Sequence, residues 1–178
     1  MQCIALIRSD IEAKARLLYG TSTGRTRCKT LCTDGTAAMI LYRCMQAAQK
    51  AKLAPLAMIW NKLLLWFCGC IIGRNADFGP GFVMIHSLGT VINSKVKGGT
   101  NIHIEHQVTI GADKNQSPTL GDDIFIGAGA KIFGPIHIGN HVRIGANAVV
   151  CKDVPSHVTA VGIPARHLAS ASSHQEQP

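Results

Sequence analysis

The side chains able to do chemistry near neutral pH are here mostly histidines and cysteines, eight of the first and seven of the second. Cys3, Cys28, Cys32, Cys44, Cys68, Cys70 and Cys151 form an odd set without paired Cys-x-x-Cys units. That argues against a zinc ribbon and against a secreted disulfide scaffold, and it points to reduced thiols in a cytoplasmic protein. No histidine is placed to activate Cys151, and a nucleophilic thiol needs such a partner. Imidazole remains: it is poised near neutral pH and suits removal of a proton from a hydroxyl.

Two histidines separate from the rest once the chain is divided into sixes. Thirteen hexads begin at Ile72, Phe78, Met84, Ile92, Gly98, Ile104, Ile110, Leu120, Ile126, Ile132, Ile138, Ile144 and Val150. Twelve of these first positions are apolar, where composition alone would give about six. Eight of the thirteen second positions are Gly, and the fifth position is small or branched, as in Ala76, Val96, Ile124 and Val142. A period of six fits neither a helix face nor simple strand alternation. It fits a chain that turns a corner every six residues, with Gly relieving the corner, so that three sides close one coil of a parallel β-helix. Three hexads make a coil, so the third positions His86, His106, Ala128 and Ala146 fall in one column, about 4.8 Å apart. His103, His137, His141, His157, His167 and His174 lack this alignment.

The period breaks twice. Two extra residues enter near His86-Ser87-Leu88-Gly89, and four enter within Ala112 to Ser117. A solenoid tolerates insertions where they bulge outward, and binding faces are often there. Both bulges are expected beside the two imidazoles.

Elements that must support this wall lie upstream. Ser9 to Tyr19 reads as a helix, with Ser9 as N-cap and Glu12 at capping-box spacing. Thr21 to Gly35 reads as loop. Ala37 to Lys52 and about 56 to 68 read as helices around Pro55. The last is apolar, but Pro55, Asn61, Lys62 and Gly69 interrupt it. It is expected to cap the open end of the β-helix or to meet another subunit rather than to span a membrane. The expected organisation is a helical region over 1–70, a β-helix over 71–168 and a disordered polar tail over 169–178. The formal charge is +8 and aromatic residues make up 5% of the chain. Scattered cations with few stacking rings favour a phosphorylated ligand over nucleic acid. Contact with a membrane surface is at most peripheral.

Residues 71–166 resemble the hexapeptide-repeat acyltransferases, and within them the serine acetyltransferase branch. The resemblance rests on Phe78-Gly-Pro-Gly-Phe-Val-Met-Ile-His86, Gln107-Val-Thr-Ile-Gly111, Ile126-Gly-Ala-Gly-Ala-Lys-Ile-Phe-Gly134, Ile144-Gly-Ala-Asn-Ala-Val-Val150 and Val161-Gly-Ile-Pro-Ala165. It implies a mainly β fold, a left-handed parallel β-helix, with acetyl-CoA as donor and no metal. It implies a trimer, or a dimer of trimers, with sites in the grooves between subunits. It also implies His86 as catalytic base, Ala128 and Ala146 against the pantetheine arm of CoA, and Lys152 and Arg166 near its phosphates. His106, one coil along, is added as a second catalytic candidate from the column itself. The sequence departs from the family pattern where an Asp orients the base, here Ile71. It departs where an acid precedes the base, here Ile85, and where an Arg-His pair stands in the later loop, here Gln116-Ser117.

Three functions follow as expectations. The first is O-acetyl transfer from acetyl-CoA to a hydroxyl of L-serine or of a saccharide, with His86 as base. The second is a zinc-dependent hydratase of the same fold, which wants three protein ligands where the column supplies two imidazoles. The third is a non-catalytic β-helix used for assembly.

Overall fold

The computed structural model describes residues 2–169. Four helices come first: α1 (Gln2–Tyr19), α2 (Gly24–Leu31), α3 (Thr36–Lys50) and α4 (Ala54–Cys68). α1 begins seven residues before the expected start, so Ser9 lies inside it and caps nothing. Glu12 instead accepts from Arg8 at 2.9 Å and from Arg27 at 2.8 Å. α2 occupies the stretch expected as loop. Its Thr-rich sequence reads as loop by propensity, yet Thr23 is an N-cap and Thr26 closes a reciprocal capping box with it. Those bonds satisfy backbone donors that an eight-residue helix otherwise leaves bare. Pro55 lies in the first turn of α4, where a missing N–H costs nothing, and Gly69 ends that helix at φ +60°.

Short strands then follow in threes. The first coil is β1 (Ile71–Ile72), β2 (Asp77–Phe78) and β3 (Val83–Met84). The second is β4 (Val91–Ile92), β5 (Lys97–Gly98) and β6 (Ile102–Ile104). The third is β7 (Thr109–Gly111), β8 (Thr119–Leu120) and β9 (Ile124–Ile126). The fourth is β10 (Lys131–Phe133), β11 (His137–Ile138) and β12 (Arg143–Ile144). A last coil runs through β13 (Val149–Val150) to β14 (Val158–Val161), and β15 (Arg166–Ala169) folds back antiparallel on β14. Strands stack into three faces: β1-β4-β7-β10-β13, β2-β5-β8-β11, and β3-β6-β9-β12-β14 with β15. Apart from β15, all strand pairs are parallel. Ala169, expected in the tail, ends β15; residues 170–178 of that expected tail lie outside the described residues.

Hexad first positions point inward and are buried, from Ile72 and Met84 to Ile144 and Val150. Gly98 is the exception because its neighbours already fill the space: a Cβ there would collide with the Phe78 ring and approach Ile102 Cδ1 to 2.7 Å. The glycines at second positions are not the corners, as the sequence reading had them. Seven of the eight are points of close approach between coils, whereas a Cβ on Gly111 would meet only ordinary contacts, 3.7 Å from Phe133 Cβ. A Cβ on Gly127 would lie 2.7 Å from the Ala146 nitrogen. The left-handed backbone falls at fourth positions instead. Asn101, Asp123 and His141 stack in one corner column with φ of 53°, 55° and 55°, and His157, beyond the last hexad, continues it at 63°. Asn, Asp and His tolerate that region better than most residues.

The open face of the first coil is covered by side chains of the helices. Wholly buried Arg43 donates to both carboxylate oxygens of Asp10, at 2.7 and 3.0 Å, and to the carbonyls of Phe78 and Gly79. Asp10 Oδ1 in turn accepts from the backbone of Gly81 and Phe82, each at 3.0 Å. The Tyr42 hydroxyl takes the Phe78 N–H and gives its proton to the Ala76 carbonyl. Asn61 of α4 donates to the Ile72 carbonyl at 2.7 Å. An exposed coil edge is an unpaired strand edge, and here the helical region completes its hydrogen bonds. Sequence placed that task on the segment 56–68 alone; α1 and α3 carry more of it.

Candidate active site

Strand register brings the expected column together. Met84 pairs with Ile104, Ile104 with Ile126 and Ile126 with Ile144. His86, His106, Ala128 and Ala146 each lie two residues beyond, at the corner leading from the β3 face to the β1 face. The His86 and His106 rings stand 5.9 Å apart, edge to face at 74°. Toward the far end, Ala128 and Ala146 present only methyl groups, and Gly162 follows them two residues beyond the pair Ile144–Ala160. That last position escaped the sequence reading because the strict period ends at Val150. The strip is therefore imidazole at one end and nearly bare backbone at the other.

His86 leaves the wall through the two-residue bulge. Ser87 Oγ donates to the Cys68 carbonyl at 2.8 Å, and the Gly89 N–H donates to the Gly69 carbonyl at 2.9 Å. These bonds tie the bulge to the end of α4. The second bulge is not beside the histidines, contrary to expectation. It lies at the corner between β7 and β8, closed by mutual hydrogen bonds of Asp113 and Gln116. Lys95 reaches the Asn115 carbonyl from the coil below. The period located both insertions; which corner each occupies depends on counting sides within the coil.

Lys152 and Arg166 are both exposed, and they do not meet. Lys152 lies between β13 and Val154, which bridges to Ile138 of β11, so it shares a corner with the second bulge. Arg166 pairs with Val161 and stands just past Gly162, at the far end of the histidine column. The structure also stacks two histidines that sequence had set aside: the rings of His141 and His157 lie 4.6 Å apart. They are turn residues of the left-handed corner, and His141 Nδ1 lies 3.5 Å from Asp123 Oδ2.

A cleft of about 790 Å3 opens around the imidazole end. Its lining includes Asp34, Phe67, His86, Leu88, His106 and Gln107, and no Lys or Arg among the described residues. Asp34 is the functional candidate that sequence missed. It sits between α2 and α3, fifty-two residues before His86, and its Oδ2 lies 3.3 Å from His86 Nδ1. His106 has a carboxylate of its own, with Glu105 Oε2 3.6 Å from Nδ1. Cys32 and Cys68 line the cleft, the first exposed and the second buried, and buried Cys70 lies two residues past Cys68. Burial pushes the Cys70 thiol up to about 12 and also raises that of Cys68, so neither is a ready nucleophile. Among the described residues no three His, Cys, Asp or Glu side chains are grouped to hold a metal ion.

Comparison with known proteins follows the same line. Residues 117–152 match the family described as bacterial transferase hexapeptide (six repeats). The chain is 38% identical over 138 residues to a serine acetyltransferase of Helicobacter pylori strain J99, covering 75% of this chain and 81% of that protein. A solved serine acetyltransferase in complex with CoA superposes with a TM-score of 0.85 at 28% identity, over 94% of this chain and 70% of that one. The Neisseria gonorrhoeae serine acetyltransferase in complex with serine gives 0.82 at 30% identity, over 93% and 68%. A hexapeptide coil, a helical cap fitted to its first turn and sequence identity running through both leave one assignment: the chain belongs to the serine acetyltransferase family of acyltransferases, built on a left-handed parallel β-helix.

Proposed function

We propose that this chain is an acetyl-CoA-dependent O-acetyltransferase acting on L-serine, with His86 as general base. The observation that carries the reading is the column itself: two imidazoles at a cleft, continued by a strip of small residues long enough for an extended thioester arm. The acceptor oxygen attacks the thioester carbonyl carbon while His86 removes its proton. The C–O bond forms, the C–S bond breaks, and CoA leaves as a thiolate that takes the proton back. Such positioned proton transfer contributes about 10²–10⁴-fold. No covalent enzyme intermediate is needed, because the acceptor oxygen attacks the thioester carbon directly. Ala128 and Ala146 line the arm, and Lys152 and Arg166 meet the CoA phosphates. Those two cations stand on different corners, so they would serve one CoA only across a groove between two copies. The protein is then a trimer or a dimer of trimers in the cytoplasm, with 71–168 as the acyltransferase domain and 1–70 as its helical region.

A second acceptor has one observation in its favour. Among the described residues the cleft lining has no Lys or Arg, and it exposes Phe67 and Leu88. An amino-acid carboxylate wants a cation there, whereas a neutral saccharide does not. Thiol release from acetyl-CoA, followed with L-serine and with a panel of saccharides, separates the two. Turnover with serine supports the first reading, turnover with saccharides alone the second, and release with neither removes both.

A further inference from the structure

We infer that Asp34 positions His86: a carboxylate from the helical region holds the Nδ1 side of the imidazole and leaves Nε2 to face the acceptor. The inference rests on His86 as the base in the proposed function. Asp34 Oδ2 lies 3.3 Å from His86 Nδ1. A neutral imidazole has one donor and one acceptor nitrogen, and a carboxylate beside one nitrogen makes that one the donor. The lone pair that accepts a proton is then on the other.

Although the Asp34 side chain is 81% exposed, its backbone is held from three directions. Wholly buried Lys14 of α1 donates to the carbonyls of Asp34, Met84 and Ile85, so one ammonium joins the Asp34 turn to the residues just before His86. Gly35 follows at φ +74°, and a Cβ there would collide with the Met84 carbonyl oxygen. Glycine is what lets the turn lie against β3. Below it, Thr33 and Thr36 both donate to the Thr30 carbonyl, at 2.7 and 2.8 Å. The bulge bonds of Ser87 and Gly89 hold the other partner. Both groups thus sit on backbone that packing over-determines. A pair with one partner so exposed needs this, because a free ion pair in water holds little orientation.

The test compares Asp34→Asn, Asp34→Ala and Asp34→Glu with the unaltered protein. Since the side chain is exposed, all should fold, and thermal unfolding of each variant checks this. With acetyl-CoA, Asp34→Asn and Asp34→Ala should lower kcat by about 10–100-fold, a part of the 10²–10⁴-fold that positioned proton transfer contributes. KM for acetyl-CoA should stay within about twofold, and Asp34→Glu should recover part of the loss. Nitrogen-15 NMR of labelled histidine, with His86 signals assigned by their loss in His86→Ala, reads the tautomer without any activity. Asp34→Ala should shift His86 away from the Nδ1–H form. A tautomer unchanged in Asp34→Ala overturns the inference whether or not the protein transfers acetyl groups. An active enzyme whose kcat is unchanged by Asp34→Asn and Asp34→Ala overturns it too. Absence of transfer by the unaltered protein, with the tautomer shift observed, counts against the proposed function alone.

Discussion

His86 and His106 are alike in type and nearly alike in setting, but their places in the column differ. His86 leaves the first coil on a bulge, 50% exposed at its side chain, with Asp34 at Nδ1. His106 sits one coil along in unbroken wall. If His86 is the base, His86→Ala lowers kcat at least about 100-fold with little change in CoA affinity, and His106→Ala gives a smaller loss. Single-turnover acetyl transfer measures both, and full turnover by His86→Ala would rule out the mechanism. Lys152 makes a separate claim. A charge-assisted contact to phosphate contributes about 1.5–3 kcal/mol. Lys152→Ala should therefore raise the CoA dissociation constant more than about tenfold, most clearly at low salt. An unchanged constant by calorimetry places the phosphates elsewhere.

At the scale of elements, the informative contact is between α1 and the edge strand β3. Among the described residues Lys14 has no carboxylate at hydrogen-bond distance; it is held by three carbonyls in an interior that disfavours its charge. Burial lowers its pKa from 10.5 to about 8, with the Asp34 charge opposing in part. The unfolded chain keeps that proton to higher pH than the folded one. Between about pH 8 and 10.5 unfolding therefore takes up a proton, and raising the pH stabilises the folded state through this group. Below pH 8 the burial penalty is fully present. Lys14→Met leaves the carbonyls without their donor and should cost about 1–3 kcal/mol at pH 7. The gap to the unaltered protein should widen from pH 7.5 to pH 9.5. Urea midpoints at those two values check this, and a gap that narrows would mean Lys14 is not the group that titrates.

For the whole molecule, what matters is the surface that α4 and the outer corners leave outward. α4 buries Ala57, Leu64 and Cys68, and it leaves Ile59, Trp66 and Phe67 at 56%, 73% and 78% exposure. Among the described residues no helix is long and apolar enough to cross a membrane. One face of a β-helix cannot enclose an adenine nucleotide, whereas a groove between two copies can. Light scattering at micromolar concentration should give the mass of three chains, or of six if α4 joins trimers through its apolar side. In the second case Trp66→Asp should return the mass to three. A monomer would remove the groove on which the CoA contacts depend.

Period, column and both insertions were legible in the sequence because a solenoid makes each coil depend mainly on the next. Six-residue spacing sets register directly, so His86 could be placed against His106 without any long-range information. The helical region obeys no such rule. Thr21 to Gly35 looked like loop because its helix depends on a Thr23–Thr26 cap, and Ser9 looked like a cap because its place inside α1 is set by contacts with α2, α3 and β3. Buried Asp10, Lys14 and Arg43 answer backbone groups of the first coil thirty-five to seventy-two residues away. Asp34 belongs to the same class. Its partner is fifty-two residues along, and nothing in its own neighbourhood marks it as different from any turn aspartate. The one-dimensional repeat determined where the imidazoles stand; only the packing of the helices over the first coil decided which carboxylate stands behind one of them.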